Sequence, residues 1–139
     1  KKEIFKTSGG KYIAPAVLES EFKRSPFIEQ IMVIGESEKM PAALIQLNFD
    51  YVKEWSKKQN HTIKDITTDL KLSFRIQDEI NYYNQNFGSW ESVKKFEITP
   101  EEWTVENGLI TPTLKIKRKK IKEKYQYLFD KIYKDEEDI

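Results

Sequence analysis

Residues 26–49 read Pro26-Phe27-Ile28-Glu29-Gln30-Ile31-Met32-Val33-Ile34-Gly35-Glu36-Ser37-Glu38-Lys39-Met40-Pro41-Ala42-Ala43-Leu44-Ile45-Gln46-Leu47-Asn48-Phe49. Two apolar-rich runs, Ile28 to Ile34 and Ala42 to Phe49, flank a polar connection that begins at Gly35 and ends at Pro41. Runs of this length bounded by turn residues are two adjacent antiparallel strands joined by a loop. Upstream, residues 3–13 hold two short β-prone stretches around Ser8-Gly9-Gly10, a hairpin signal. Pro15 suits a first helical position, Leu18 and Phe22 share one helical face, and Ser25-Pro26 ends that short helix. Downstream, Tyr51 to Gln59 reads as a helix with Val52 and Trp55 inward. A longer helix is expected over about Thr67 to Phe87, with Leu70, Phe74, Ile80, Tyr83 and Phe87 inward and Gly88 as its stop. Residues 92–98 read as a third strand, and Asn107-Gly108 is a turn dipeptide. From about Lys117 a last helix puts Ile121, Tyr125, Leu128, Phe129, Ile132 and Tyr133 on one face and most of its lysines on the other. The pattern is α+β: a small, mostly antiparallel sheet flanked by helices and preceded by a detached β-hairpin.

The chain has 139 residues, a size that suits a single domain with one real core. With no cysteine, disulfide scaffolds, Cys-based zinc sites, iron–sulfur clusters and thiol nucleophiles are excluded together. One histidine, His61, leaves a histidine metal cage or a Ser/His/Asp triad a single candidate for its key part. The longest purely apolar runs, Ile31 to Ile34 and Ala42 to Ile45, fall far short of the ~20 residues that a membrane-spanning helix needs. Lys1-Lys2-Glu3 leads directly into alternating polar and apolar residues instead of an apolar leader, so a soluble, cytoplasmic domain is the default expectation. The net charge of +1 conceals an uneven distribution, because residues 115–134 hold nine Lys/Arg against Glu123 and Asp130. Concentrated positive charge of this kind attracts phosphates, polyanions and anionic membranes.

Each chemical motif has an ordinary competitor. His61 lies in the polar stretch Lys57-Lys58-Gln59-Asn60-His61-Thr62 and reads as a surface histidine. Glu97, Glu101, Glu102 and Glu106 lie in or beside turns and read as solvated acids. Trp55, Trp90, Trp103 and the eight Phe read as core. The basic helix carries Tyr125, Tyr127 and Phe129 among its lysines, a combination found in nucleic-acid and membrane-surface elements. Its aromatics mostly recur on the buried face, however, and Asp135-Glu136-Glu137-Asp138 opposes a polyanion. Ser8-Gly9-Gly10-Lys11 has the glycines of a phosphate cradle without the full P-loop spacing, and an ordinary tight turn explains it better.

Two motifs gain weight when read together. Lys2 to Pro15 (Lys-Glu-Ile-Phe-Lys-Thr-Ser-Gly-Gly-Lys-Tyr-Ile-Ala-Pro), followed by Leu18-Glu19, resembles the hairpin that opens the C-terminal domain of AMP-forming acyl-CoA synthetases, in the adenylate-forming superfamily. Thr104 to Arg118, with Thr111-Pro112-Thr113-Leu114-Lys115 at its centre, resembles that family's last core motif in the form used by long-chain fatty acid–CoA ligases. Residues 28–49 also resemble the family's central strands, so the likeness extends over essentially the whole chain.

The resemblance implies a two-step reaction in which a carboxylate and ATP give an acyl-adenylate and pyrophosphate, and coenzyme A then displaces AMP. It implies that Lys115 is the adenylation lysine, its ammonium bridging the charge that builds on the carboxylate and the α-phosphate. It places Lys2 at the hinge about which the domain rotates between the steps. Ser8, Gly9 and Gly10 match the loop lining the coenzyme A path, with Lys6 and Lys11 as phosphate or ligand contacts from the same hairpin. Leu114 stands where many other members carry Gly. The expected organisation is one C-terminal mobile domain over residues 1–139, with the hairpin at 3–13, a core at 15–98 and the lysine loop and last helix at 104–134. The expected partners are its own N-terminal domain, a long-chain fatty acid, ATP and coenzyme A, with no nucleic acid and a peripheral membrane contact as a lesser expectation. Magnesium ligands, the ATP phosphate loop and the acyl pocket belong to the absent N-terminal domain, so the chain is expected to be a fragment that is inactive alone. The competing expectation is a stand-alone basic module for nucleic acid or anionic membrane.

Overall fold

The computed structural model describes residues 3–137. A small hairpin, β1 (Phe5–Lys6) and β2 (Tyr12–Ile13), leads into α1 (Pro15–Phe22), then β3 (Ile28–Ile34) and β4 (Ala42–Leu47). Helices α2 (Phe49–Lys58) and α3 (Leu70–Asn84) follow, then β5 (Lys95–Ile98), α4 (Arg118–Lys124) and α5 (Gln126–Glu137). The fold is α+β, as expected. β3 and β4 pair antiparallel with Ile31 opposite Ile45 and Val33 opposite Ala43. β5 runs parallel to β4, so the three-stranded sheet is mixed, in the order β3-β4-β5.

The two apolar runs are nearly continuous because the sheet is covered on both faces. On one face Ile31, Val33, Ala43, Ile45 and Leu47 pack with Leu18 and Phe22 of α1, Val52 of α2 and Leu72, Ile76 and Ile80 of α3. On the other, Met32, Ile34, Ala42 and Leu44 pack with Trp103, Leu109, Ile121, Tyr125, Leu128 and Ile132. The result is three layers, helices on a sheet on helices.

Several local expectations are corrected. The second half of α3 turns Ile80 and Tyr83 inward as expected, but its first half does not follow: Leu72 and Ile76 are buried, while Leu70 is 73% and Phe74 70% exposed. The N-cap of α3 is Asp69, whose side chain accepts the Leu72 N–H at 2.9 Å, so the helix begins at Leu70, three residues later than the Thr67 start expected from periodicity. The last helix is two helices, interrupted at Tyr125 (φ −110°, ψ 28°), so that Ile121 and Tyr125 from one side of the break and Leu128 and Ile132 from the other all reach the sheet. The hairpin is not detached. Ser8 N–H donates to the Glu38 carbonyl and Ser37 N–H to the Lys6 carbonyl, both at 2.9 Å, which ties it to the β3–β4 loop.

Candidate functional site

The segment after β5 is anchored before it reaches Lys115. Trp103 N–H donates to Gln46 Oε1 and Trp103 Nε1 to Thr99 Oγ1, each at 3.0 Å, fastening the chain to β4 and the end of β5. Thr104 and Asn107 then bond reciprocally, Thr104 N–H to Asn107 Oδ1 at 2.9 Å and Asn107 N–H to Thr104 Oγ1 at 3.0 Å. Gly108 completes this turn at φ +79°, a conformation glycine takes without strain. Thr104-Val105 and Leu109–Thr111 form no strands about the turn; the single bridge here is Ile110 to Ile116.

That bridge closes the base of a small loop with Lys115 near its end. Inside it, Thr111 N–H donates to the Lys115 carbonyl at 2.8 Å, and Leu114 N–H to the Thr111 carbonyl at 2.8 Å. Lys115 N–H donates to Thr111 Oγ1 at 3.1 Å. Closing so tightly forces Leu114 to φ +66°, the left-handed region, which costs a residue with a β-carbon about 1 kcal/mol. The side chains of residues 112–115 are exposed, so the loop presents Lys115 outward on a backbone that is fixed internally.

Lys115 lines a cleft of about 550 Å³ with Glu3, Ala16, Glu19, Lys23 and Arg118 among its neighbours. In that cleft Arg118 makes a forked pair with Glu19, Nη1 to Oε2 at 2.7 Å and Nη2 to Oε1 at 2.6 Å. Glu19 Oε2 also accepts the Val33 N–H at 2.8 Å, and Arg118 Nε lies 3.3 Å from Glu3 Oε1. Burial pushes the Glu19 carboxyl above its ordinary range, although the Arg118 bonds and the Val33 N–H oppose the rise. For Arg118, burial acts to lower the guanidinium pKa, but the bonds to Glu19 outweigh it and hold the group above its ordinary value. Composition gave little warning of this pair. The signal was Glu19 itself, an acid on the same helical stripe as Pro15, Leu18 and Phe22.

The hairpin brings its expected residues together. Thr7 N–H donates to the Lys11 carbonyl at 2.9 Å and Gly10 N–H to the Thr7 carbonyl at 3.0 Å, with Lys6, Ser8, Gly9, Gly10 and Lys11 all exposed around that turn. Gly10 sits at φ +85°, whereas a β-carbon on Gly9 would meet open space. Lys6 Nζ lies 5.8 Å from the centre of the Tyr12 ring. Lys115 stands apart from this turn, in the cleft beside α1, and Lys2 lies outside the described residues.

His61 is not a free surface group. Its Nε2 lies 2.8 and 2.9 Å from the two carboxylate oxygens of Asp69, so the histidine braces the residue that caps α3. The lysines of the last helices are also partly engaged: Lys122 lies 4.7 Å from the Phe129 ring centre, Lys124 reaches Glu101 at 3.2 Å and Lys131 reaches Glu97 at 3.3 Å. Among the described residues no group of three or more His, Asp or Glu side chains is placed to hold a metal ion, and no helix is long and apolar enough to cross a membrane.

Residues 2–137 match the AMP-binding enzyme C-terminal domain family. The chain belongs to that family. This AMP-binding enzyme C-terminal domain is 36% identical, over 98% of its length, to the long-chain-fatty-acid–CoA ligase FadD15 of Mycobacterium tuberculosis, of which it covers 23%. It is 33% identical, over 96% of its length, to fatty acyl-CoA synthetase B of Dictyostelium discoideum, of which it covers 20%. The chain thus spans about a fifth of the length of these curated relatives. Its fold is that of the corresponding part of a carboxylic acid reductase A-PCP didomain from Segniliparus rugosus, solved with AMP, at a TM-score of 0.78 and 22% identity over 96% of this chain and 18% of that one.

Proposed function

We propose that this domain serves an ATP-dependent long-chain fatty acid–CoA ligase, supplying the adenylation lysine, Lys115, from one surface and the coenzyme A-side hairpin, residues 3–13, from another. The observation that supports this reading best is the Lys115 loop, whose backbone is closed on Thr111 while the lysine itself points to solvent. An ammonium on a rigid, exposed mount suits a task in which the rest of the site comes from elsewhere. In the first step a carboxylate oxygen bonds to the α-phosphorus of ATP and the bond to the bridging oxygen of pyrophosphate breaks. Charge gathers between the two reacting groups, and an ammonium that bridges them lowers the barrier. In the second step the coenzyme A sulfur attacks the acyl carbon and AMP leaves. The hairpin suits that step because Gly9 has open space where a side chain would stand, leaving backbone accessible to a narrow ligand.

The N-terminal domain is the proposed partner, and it supplies the acyl pocket, the ATP phosphate loop and the magnesium ligands. The described residues contain no donor set that fits magnesium, so no step is assigned to the metal here. The stand-alone basic module is less well supported, since Lys122, Lys124 and Lys131 are committed to rings or carboxylates of their own domain. The test is Lys115→Ala in the full-length ligase. Adenylate formation falls by orders of magnitude if the reading is right, and stays at the wild-type rate if Lys115 has no part in it.

A further inference from the structure

We propose that Arg118 is a positioning residue for Lys115, acting through its forked pair with Glu19; this rests on the reading of Lys115 as the adenylation lysine. Arg118 begins α4, three residues after Lys115, where the chain leaves the closed loop. Its side chain turns inward and ends on Glu19 of α1 through two bonds at 2.6 and 2.7 Å. Glu19 is only 7% exposed, and its Oε2 takes a third bond from Val33 N–H on β3. β3 is an edge strand, so that N–H faces away from β4 and the carboxylate satisfies it. One buried carboxylate therefore joins the exit of the lysine loop to α1 and to the central sheet. Arg118 Nε also faces Glu3, in the segment leading to β1, and α1 follows β2 after a single residue. The mount of Lys115 and the root of the hairpin are thus fixed to the same point.

Stability alone is a poor reason for such a pair. Desolvation offsets most of the attraction in a buried ion pair, and apolar replacements often serve as well. A planar fork does supply direction, which a single ammonium does not. The loop's tip is held internally, between Thr111 and residues 113–115, and its base by the Ile110–Ile116 bridge, the bond from Lys117 N–H to the Leu109 carbonyl at 2.8 Å and the buried Leu109 and Ile110. The Arg118 fork adds the directional side-chain tie from the exit of the loop to α1 and, through Glu19, to β3. Misplacing a catalytic group by about 1 Å costs on the order of a hundredfold in rate.

The experiment measures both half-reactions of the full-length ligase carrying Arg118→Lys, which keeps a cation opposite Glu19 but loses the fork. Expected is a fall of at least tenfold in the adenylation kcat, with the KM for ATP and the rate of thioester formation from supplied acyl-adenylate within threefold of wild type. In a Lys115→Ala background the same substitution should change adenylation less than twofold, because its effect passes through the lysine. Glu19→Gln, nearly isosteric and still an acceptor for Val33, should show the same selectivity at smaller amplitude. A proportional fall in both half-reactions, full independence of the Arg118 and Lys115 effects, or wild-type adenylation in Arg118→Lys would each overturn the proposal. If Lys115→Ala alone leaves adenylation intact, the functional reading fails and takes the proposal with it; if Lys115→Ala is selective and Arg118→Lys is not, only the proposal falls.

Discussion

Thr111 and Lys115 hold each other by two bonds: Lys115 N–H reaches Thr111 Oγ1 at 3.1 Å, and the Lys115 carbonyl accepts the Thr111 N–H at 2.8 Å. Thr111→Val removes the first bond, together with the exposed Thr111 Oγ1–Thr113 Oγ1 contact at 3.0 Å, and keeps the second. A lost hydrogen bond of this kind is worth about 1 kcal/mol, equivalent to about fivefold in rate if it is felt in the transition state. We expect adenylate formation to slow by about that factor while thioester formation from supplied acyl-adenylate is unchanged, as read by separate assays of the two steps.

Leu114 tests whether the loop needs its left-handed residue. Glycine relieves the strain at φ +66° but adds freedom to the unfolded chain, and the two effects nearly cancel. Leu114→Gly should therefore leave stability within about 0.5 kcal/mol of wild type. Leu114→Val puts a β-branched residue into that region and should cost about 1–2 kcal/mol. Denaturant midpoints of the two variants give the comparison.

The two hairpin glycines separate folding from ligand approach. Gly10→Ala strains a residue at φ +85° and should cost about 1 kcal/mol of stability. Gly9→Ala meets nothing in the domain and should leave the melting temperature unchanged. A raised KM for coenzyme A in Gly9→Ala, with adenylation untouched, is the expected result if this turn lines the coenzyme A path.

Asp69 gives the domain an acid-sensitive cap. Burial acts to raise its carboxyl pKa, but the Leu72 N–H and His61 outweigh that and hold it below the ordinary value of 3.8. A carboxyl lowered by folding contributes stability above its unfolded pKa and loses it as pH falls through the folded value. Stability of the wild type should therefore drop below about pH 3.8, and Asp69→Asn should flatten that part of the curve. Thermal unfolding across pH 2.5–5 reads the difference.

The layers of the fold were legible because strand and helix periods differ and the two central runs are too apolar to sit anywhere but between helices. The inward face in the first half of α3 was not. Leu70 and Phe74 share a four-residue spacing with Leu72 and Ile76, and only the cap at Asp69 and the packing against β3 and β4 select the second pair. The break at Tyr125 carries no proline or glycine to announce it; it exists so that two short helices can both reach one sheet face. At the candidate site, the hairpin and the Thr-Pro-Thr-Leu-Lys segment could be read as motifs. The Arg118–Glu19 pair spans 99 positions, and no local pattern connects two such residues.

Single-turnover measurement of the two half-reactions in a full-length ligase carrying Lys115→Ala tests the role of Lys115 most directly. With Lys115 as the adenylation lysine, acyl-adenylate and pyrophosphate formation should fall by at least three orders of magnitude, about 4 kcal/mol of barrier, while supplied acyl-adenylate is converted to thioester within threefold of the wild-type rate. Equal losses in both steps, or none in either, would rule that role out.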